Sequence, residues 1–274
     1  MKSTLPAHLI ELLDNSLHGL ENHDHSGELR HFAKTLYQAA YQFRFQYRTA
    51  DDNRLEHELI VLENAIRIGL KVGANLESPT PRTVGDFQVL IISALLHDLR
   101  FIRRITEQDL RYVKEHGSDS EYQKLVMERS QQRLSHMRGS AADAKIVLKT
   151  LAYPLEQQVI RQSIGYIHLH DLWKTGVPYP LASDGLAVCF FEADALWPLH
   201  PHYGPLADLE RQGIPAPDFD QLRQQAIENY HLQLCAGRKL FEHTAEQFQD
   251  DKTIIRTSEG QRILREYCTY WGII

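Results

Sequence analysis

The sequence predicts an all-α protein, and three observations carry that prediction. Apolar residues recur at spacings of three and four along nearly all of the 274 residues, alternating strand patterns are scarce, and proline and glycine fall between periodic segments. In chain order, the first segment covers 5–20, an amphipathic stretch carrying Glu11 and Asp14, and the second covers 29–48, with Asp24 or Ser26 as its natural cap. The third, 53–72, has a core stripe of Leu55, Leu59, Leu62 and Ile66. The fourth, 85–98, contains an apolar run from Phe87 to Leu96 and is expected to be buried. Helices over 119–134 and 139–152 are expected on either side of a break near Gly139, where small residues allow close backbone approach. The remaining segments cover 154–169, 182–197, 219–248 and 258–270. Between them, Ser78 to Pro81, Tyr153 and Pro154, Thr175 to Pro180 and a surface loop over 200–218 punctuate the chain. The organisation expected is a helical domain over 51–274 with residues 1–50 as an N-terminal helical extension packed on it.

Composition excludes several classes. With 43% apolar residues the chain has ample material for a core. A net charge of -6 and a pI near 6.2 leave no basic stripe for nucleic acid or an anionic membrane. No stretch reaches the roughly 18 apolar residues of a spanning helix. Cys189, Cys235 and Cys268 lie far apart without a paired spacing, which suits reduced thiols in a cytoplasmic protein and neither a disulfide frame nor a structural zinc knot.

The chemistry starts at His97 and Asp98, an imidazole and a carboxylate side by side where the apolar run stops. A desolvated carboxylate costs several kcal/mol unless it is paired or bound to a cation, so the dipeptide asks for a metal or a strong hydrogen-bond partner. Asp194 has the same need, because Ala187, Phe190 and Phe191 surround it on an apolar helical face, whereas Glu192 falls off that stripe and is expected in solvent. His57 shares a face with Val61, Asn64 and Ile68 and is turned at least partly inward. His136 precedes Gly139, and His168 continues the stripe of Ile160 and Ile164 into the core. His170 is about 200° away if the helix persists, and a fraying end leaves either histidine open as the inward one. Two other His-Asp pairs, His23-Asp24 and His170-Asp171, lack the apolar helix that precedes His97.

His57, then His97-Asp98 about forty residues on, then Asp194, resembles the ordered histidine, His-Asp pair and aspartate of the HD-domain superfamily of metal-dependent phosphohydrolases. The resemblance covers roughly residues 50–200, with Gly237 to Phe241 fitting a last helix. It implies an HD-domain-like helical bundle with additional N-terminal helices, in which His57, His97, Asp98 and Asp194 meet at a metal, and His136 and His168 match in order the extra histidines of two-metal members. The sequence departs from the family by lacking Gly-Lys after the pair and by carrying His168 and His170 where one branch has adjacent histidines, so no cyclic-dinucleotide substrate is assigned.

Imidazole and carboxylate donors together suit one or two divalent transition metal ions: iron, manganese, zinc, cobalt or nickel. The implied activity is hydrolysis of a small phosphorylated molecule, a nucleotide or another phosphoester, by a metal-activated water, with His97 and Asp98 at its centre. Arg100 and Arg138 are the candidates for substrate phosphate, with Arg103, Arg104 and Lys174 nearby in sequence, and Asn53, Glu56 and Glu58 are possible partners of the ligands. The alternatives are a di-iron HD-type oxygenase and a regulatory module that keeps the bundle without turnover.

Overall fold

The computed structural model describes residues 5–17, 26–47, 56–71, 83–100, 105, 107–175, 181, 184–214, 216–235 and 254–274. Among these residues there are eleven α-helices and no strand. The helices are α1 (Ala7–Leu17), α2 (Ser26–Tyr47), α3 (Glu56–Lys71), α4 (Val84–Leu96), α5 (Glu107–His116), α6 (Asp119–Thr150), α7 (Gln157–Leu169), α8 (Gly185–Leu196), α9 (Gly204–Arg211), α10 (Phe219–Asn229) and α11 (Ser258–Trp271). No helix among the described residues is long and apolar enough to cross a membrane.

Two helices form the centre. Every residue of α8 is buried, as is every residue of α4 from Phe87 to Leu96, which is what continuous apolar runs become when neighbours cover all sides. Side chains set where these helices begin. Thr83 and Asp86 form a reciprocal capping box at α4, Ser118 and Glu121 do so at α6, and Asp184 accepts from the Leu186 and Ala187 amides at α8. α3 packs on both central helices, α7 covers α4, and α6 packs against α7. The N-terminal pair belongs to the same continuous core: α1 buries Leu9 and Leu13, and α2 buries Leu29, Phe32 and Leu36 as it packs on α4 and α6. Side chains of this size stabilise by roughly 1.5–3 kcal/mol each when fully buried.

The structure corrects the expected elements in four places. The helices expected over 119–134 and 139–152 are one, the 32-residue α6. Gly139 sits inside it, where a glycine costs only about 1 kcal/mol relative to alanine, too little to break so long a helix. A Cβ at Gly139 would meet the Arg100 side chain, so the residue is a crossing point and no helix start. The expected loop over 200–218 contains α9, which tolerates Pro205 because a proline in the first turn forgoes no helical hydrogen bond, and which buries Ala207 and Leu209. α5 had no counterpart in the apolar pattern. The segment expected over 219–248 is α-helical to Asn229 and π-helical over Tyr230–Cys235, and the rest of it lies outside the described residues, as do His23, Asp24, Asn53, the Ser78–Pro81 and Gly176–Pro180 loops, Arg103 and Arg104.

Glu192, expected in solvent, is fully buried. Its carboxylate accepts from the Arg256 amide at 2.6 Å, the Thr257 amide at 3.0 Å and the Thr257 hydroxyl at 2.5 Å, which pins the start of α11 against α8. Burial pushes its pKa up to about 7 against the pull of those donors. Glu192→Ala removes the acceptor of the buried Thr257 amide and hydroxyl and of the half-buried Arg256 amide, and is expected to destabilise the fold by on the order of 3 kcal/mol. Urea unfolding read by circular dichroism checks this, and a loss below about 0.5 kcal/mol would contradict the anchoring role.

A second stability prediction concerns His200, which follows the short 3-10 turn Trp197–Leu199. Burial, then the charges of His202, Arg67 and His8, push its pKa down to about 4. Its ring lies edge-on to Tyr267, with centroids 5.5 Å apart, and its Nδ1 accepts from the His202 amide. The folded protein therefore takes up this proton less readily than the unfolded chain. The contribution is fully present above the unfolded value near 6.5 and is lost as pH falls towards 4. His200→Gln should flatten the pH dependence of the urea midpoint across that window, a difference on the order of 1–3 kcal/mol. An unchanged acid limb would refute it.

Candidate metal centre

Five helices deliver the polar cluster. His57 is the second residue of α3, His97 follows the last residue of α4 with Asp98 next to it, His136 lies within α6, His170 follows the last residue of α7, and Asp194 is near the end of α8. Four of the five helices bring their residue at or near an end, which lets a core helix stay apolar over most of its length, and α6 brings His136 from its interior.

The distances define one connected cluster. Asp98 Oδ2 lies 3.3 Å from His57 Nδ1, and Asp98 Oδ1 lies 2.7 Å from His136 Nε2, 3.5 Å from His170 Nε2 and 4.0 Å from His97 Nε2. Asp194 Oδ1 lies 3.1 Å from His57 Nε2 and 3.4 Å from His97 Nε2. Two groups emerge among the described residues that could each hold a metal ion, His57 with His97 and Asp98, and Asp98 with His136 and His170. Asp98 belongs to both.

Two of these contacts are ordinary hydrogen bonds, His136 Nε2 with Asp98 Oδ1 at 2.7 Å and His57 Nε2 with Asp194 Oδ1 at 3.1 Å, and two other imidazole nitrogens have none. His97 Nδ1 donates to the Ala94 carbonyl at 2.9 Å, His170 Nδ1 to the Ile167 carbonyl at 2.8 Å, and His136 Nδ1 to the Arg100 carbonyl. A neutral imidazole that donates from Nδ1 presents a bare lone pair at Nε2. The Nε2 atoms of His97 and His170 are buried and have no hydrogen-bond partner. They face carboxylate oxygens, and a contact of acceptor with acceptor is relieved by a cation between them, either a proton on the imidazole or a metal ion. Metal bonds of about 2.0–2.2 Å place neighbouring ligand atoms about 3–3.5 Å apart, close to most of the separations found. The electrostatics agree: burial alone would lower the pKa of His97, yet the charge of Asp98 and the contact with Asp194 raise it. Backbone carbonyls holding the far nitrogens are the usual supports of ligating histidines.

Two buried ion pairs steady the ligands from behind. Arg44 on α2 pairs with Glu58, the neighbour of His57, and donates to the Asp98 carbonyl at 2.7 Å. Arg133, one turn before His136 on α6, pairs with Asp171, the neighbour of His170, at 2.8 Å. Glu58 was a sequence candidate for such a role, whereas Arg44 and Arg133 were not, since nothing local distinguishes a buried arginine from a solvated one. Phe190 closes the apolar side, with its ring centroid 5.5 Å from that of His97.

The structure brings His57, His97, Asp98, His136 and Asp194 together and adds His170. His168 is exposed, which corrects the choice between the two histidines. The buried residues of α7 are Val159, Ser163, Ile164, Tyr166 and Ile167, a face centred on Ser163 and Tyr166 that runs on to His170, with Ile164 at its edge and His168 beyond it. The His170-Asp171 pair, set aside for want of an apolar helix before it, is therefore part of the cluster, with both residues buried. Arg138 is exposed, because two residues beyond His136 is about 200° around the helix. Arg100 is half exposed and gives two guanidinium hydrogen bonds, 2.9 and 2.7 Å, to Asp143, which raises its pKa. Its backbone is closer to the cluster, through the carbonyl that holds His136. The side chain of Lys174 lies outside the described residues.

No protein-family model, curated protein or solved structure matches this chain. What fold and site define together is an all-helical protein with a buried histidine and aspartate cluster that could bind metal.

Proposed function

We propose that the chain is a metal-dependent phosphohydrolase of the HD type with a binuclear centre, acting on a nucleotide or another small phosphoester. The observation that carries this reading is the sharing of Asp98 between two ligand groups, with its two carboxylate oxygens turned to different histidines. His57, His97, Asp98 and Asp194 would hold one ion, and Asp98, His136 and His170 the other. Four neutral imidazoles and two carboxylates carry two negative charges, so two divalent ions leave the centre with two positive ones, which favours an anionic substrate. Bound divalent ions supply Lewis acidity towards phosphoryl oxygen and bring the pKa of water towards ~7. The chain's own residues fix the geometry. Backbone carbonyls hold three imidazoles in one tautomer, Arg44 holds the Asp98 main chain, and Arg100, tethered by Asp143 but half in solvent, offers its remaining donors to phosphate.

The test is elemental analysis of the purified protein followed by a panel of nucleotides and phosphoesters under manganese. Two metal equivalents and phosphate release are expected. A second reading rests on the six-residue donor set, which also suits a pair of irons and hence oxygen-dependent cleavage of a C-H, C-C or C-P bond. Activity under argon with manganese would exclude it. A fully loaded protein that consumes oxygen and releases phosphate from no ester would establish it over the hydrolase, and a loaded protein inert in both assays would leave a regulatory module.

A further inference from the structure

Of the four side chains His57, His97, Asp98 and Asp194, His57 is the most exposed, and it is the one that Trp197 covers. The His57 side chain is 17% exposed, against 9% for Asp98, 6% for Asp194 and 0% for His97. Trp197, the residue after α8, lies against this imidazole with ring centroids 4.4 Å apart. Arg211, at the end of α9, places its guanidinium carbon 5.5 Å from the indole centroid. The two separations, 4.4 and 5.5 Å, bound the distance from that carbon to the His57 ring to within about 10 Å. Half of the Arg211 side chain is exposed.

One buried amide organises both residues. Asn229 Nδ2 on α10 donates to the Pro198 carbonyl, next to Trp197, at 2.9 Å, and to Asp208 Oδ2 at 2.8 Å. Asp208 Oδ1 in turn accepts from Arg211 at 2.7 Å, and Arg211 Nε donates to the Ala207 carbonyl at 3.0 Å. Gln225 donates to Asn229 Oδ1 at 3.1 Å and fixes the amide's orientation. Gly204 is required below this turn, since a Cβ there would run into the backbone of Trp197 and Pro198. The guanidinium is thus oriented before any ligand arrives, and the ordering cost of binding is already met.

We infer that Trp197 and Arg211 form the recognition rim of the centre, with the Arg211 guanidinium binding the phosphate of the incoming substrate. The inference rests on the phosphohydrolase reading above. With Nε given to the Ala207 carbonyl and Nη2 paired with Asp208, the Nη1 edge of the guanidinium is the part that donates to phosphate oxygens, and the indole supports the cation.

Inorganic phosphate binding to the manganese-loaded, full-length protein, measured by calorimetry with tryptophan fluorescence alongside, tests it. Wild type, Arg211→Gln, Arg211→Lys and Trp197→Phe are compared after elemental analysis shows equal metal content. Wild type is expected to bind phosphate, Arg211→Gln to bind it at least tenfold more weakly, a change of about 1.4 kcal/mol, and Arg211→Lys to fall between them. Trp197→Phe should lose the fluorescence response to phosphate. With a hydrolysed ester, Arg211→Gln should raise KM with little change in kcat. Equal phosphate affinity in wild type and Arg211→Gln overturns the rim and leaves the hydrolase standing. Fully loaded wild type that binds no phosphate overturns the hydrolase reading and the rim with it.

Discussion

Asp98→Ala is expected to abolish binding of every metal equivalent that the wild-type protein takes up. The carboxylate belongs to both candidate groups, so its loss takes a ligand from each and leaves His136 and His170 with no carboxylate between them. The helices should survive, because Asp98 lies beyond the last residue of α4, and its main-chain carbonyl, which receives Arg44, is untouched by the substitution. The thermal consequence is specific. A metal present at a hundredfold excess over its dissociation constant stabilises the native state by about 2.7 kcal/mol. That increment should appear in wild type on adding manganese and be missing in the variant, while the far-ultraviolet spectra of the two remain alike. Full metal stoichiometry in Asp98→Ala would remove the carboxylate from the centre and the binuclear proposal with it.

His170→Ala is expected to release one metal equivalent and retain the other, while His168→Ala releases none. The two histidines lie two residues apart, yet one is buried with an unpartnered Nε2 at 3.5 Å from Asp98 and the other faces solvent. His136→Ala should behave like His170→Ala, since both contribute to the same group. The surviving ion would be held by His57, His97, Asp98 and Asp194, and the proposed binuclear hydrolysis would lose its second ion. Elemental analysis of the three variants decides the matter. Equal stoichiometry in wild type and His170→Ala would return that residue to the role of a core histidine bonded to the Ile167 carbonyl.

The parts of this protein that local pattern controls were legible before the structure. Apolar periodicity located most helices to within a few residues, and the energetic oddity of polar groups at the ends of apolar helices pointed to His97, Asp98 and Asp194, which the structure brings together. Legibility ended where partners are distant in sequence. Glu192 is buried because amides some 64 residues further on receive it, a fact absent from its own helix. Arg44 and Arg133 are buried because their carboxylates are supplied by other helices. The choice between His168 and His170 stays open in the sequence because two stripes of α7 carry apolar residues, and only packing against α4 and α6 selects one of them. α9 was hidden by a proline that reads as a breaker but stands in the first helical turn, where it breaks nothing.

The separation of the candidate ligands along the chain bears on when in folding a metal could be captured. His57 and Asp194 are 137 residues apart in the chain, and the ligands between them arrive on separate helices. Closing so long a loop is entropically unfavourable until the intervening helices have packed, and contacts of this kind form late in folding. A chain still assembling its core therefore owns no complete donor set, and free metal cannot template the early steps. Manganese present during refolding should leave the fast phases unchanged and slow only the unfolding limb, which makes metal capture a clock that marks the last event of assembly.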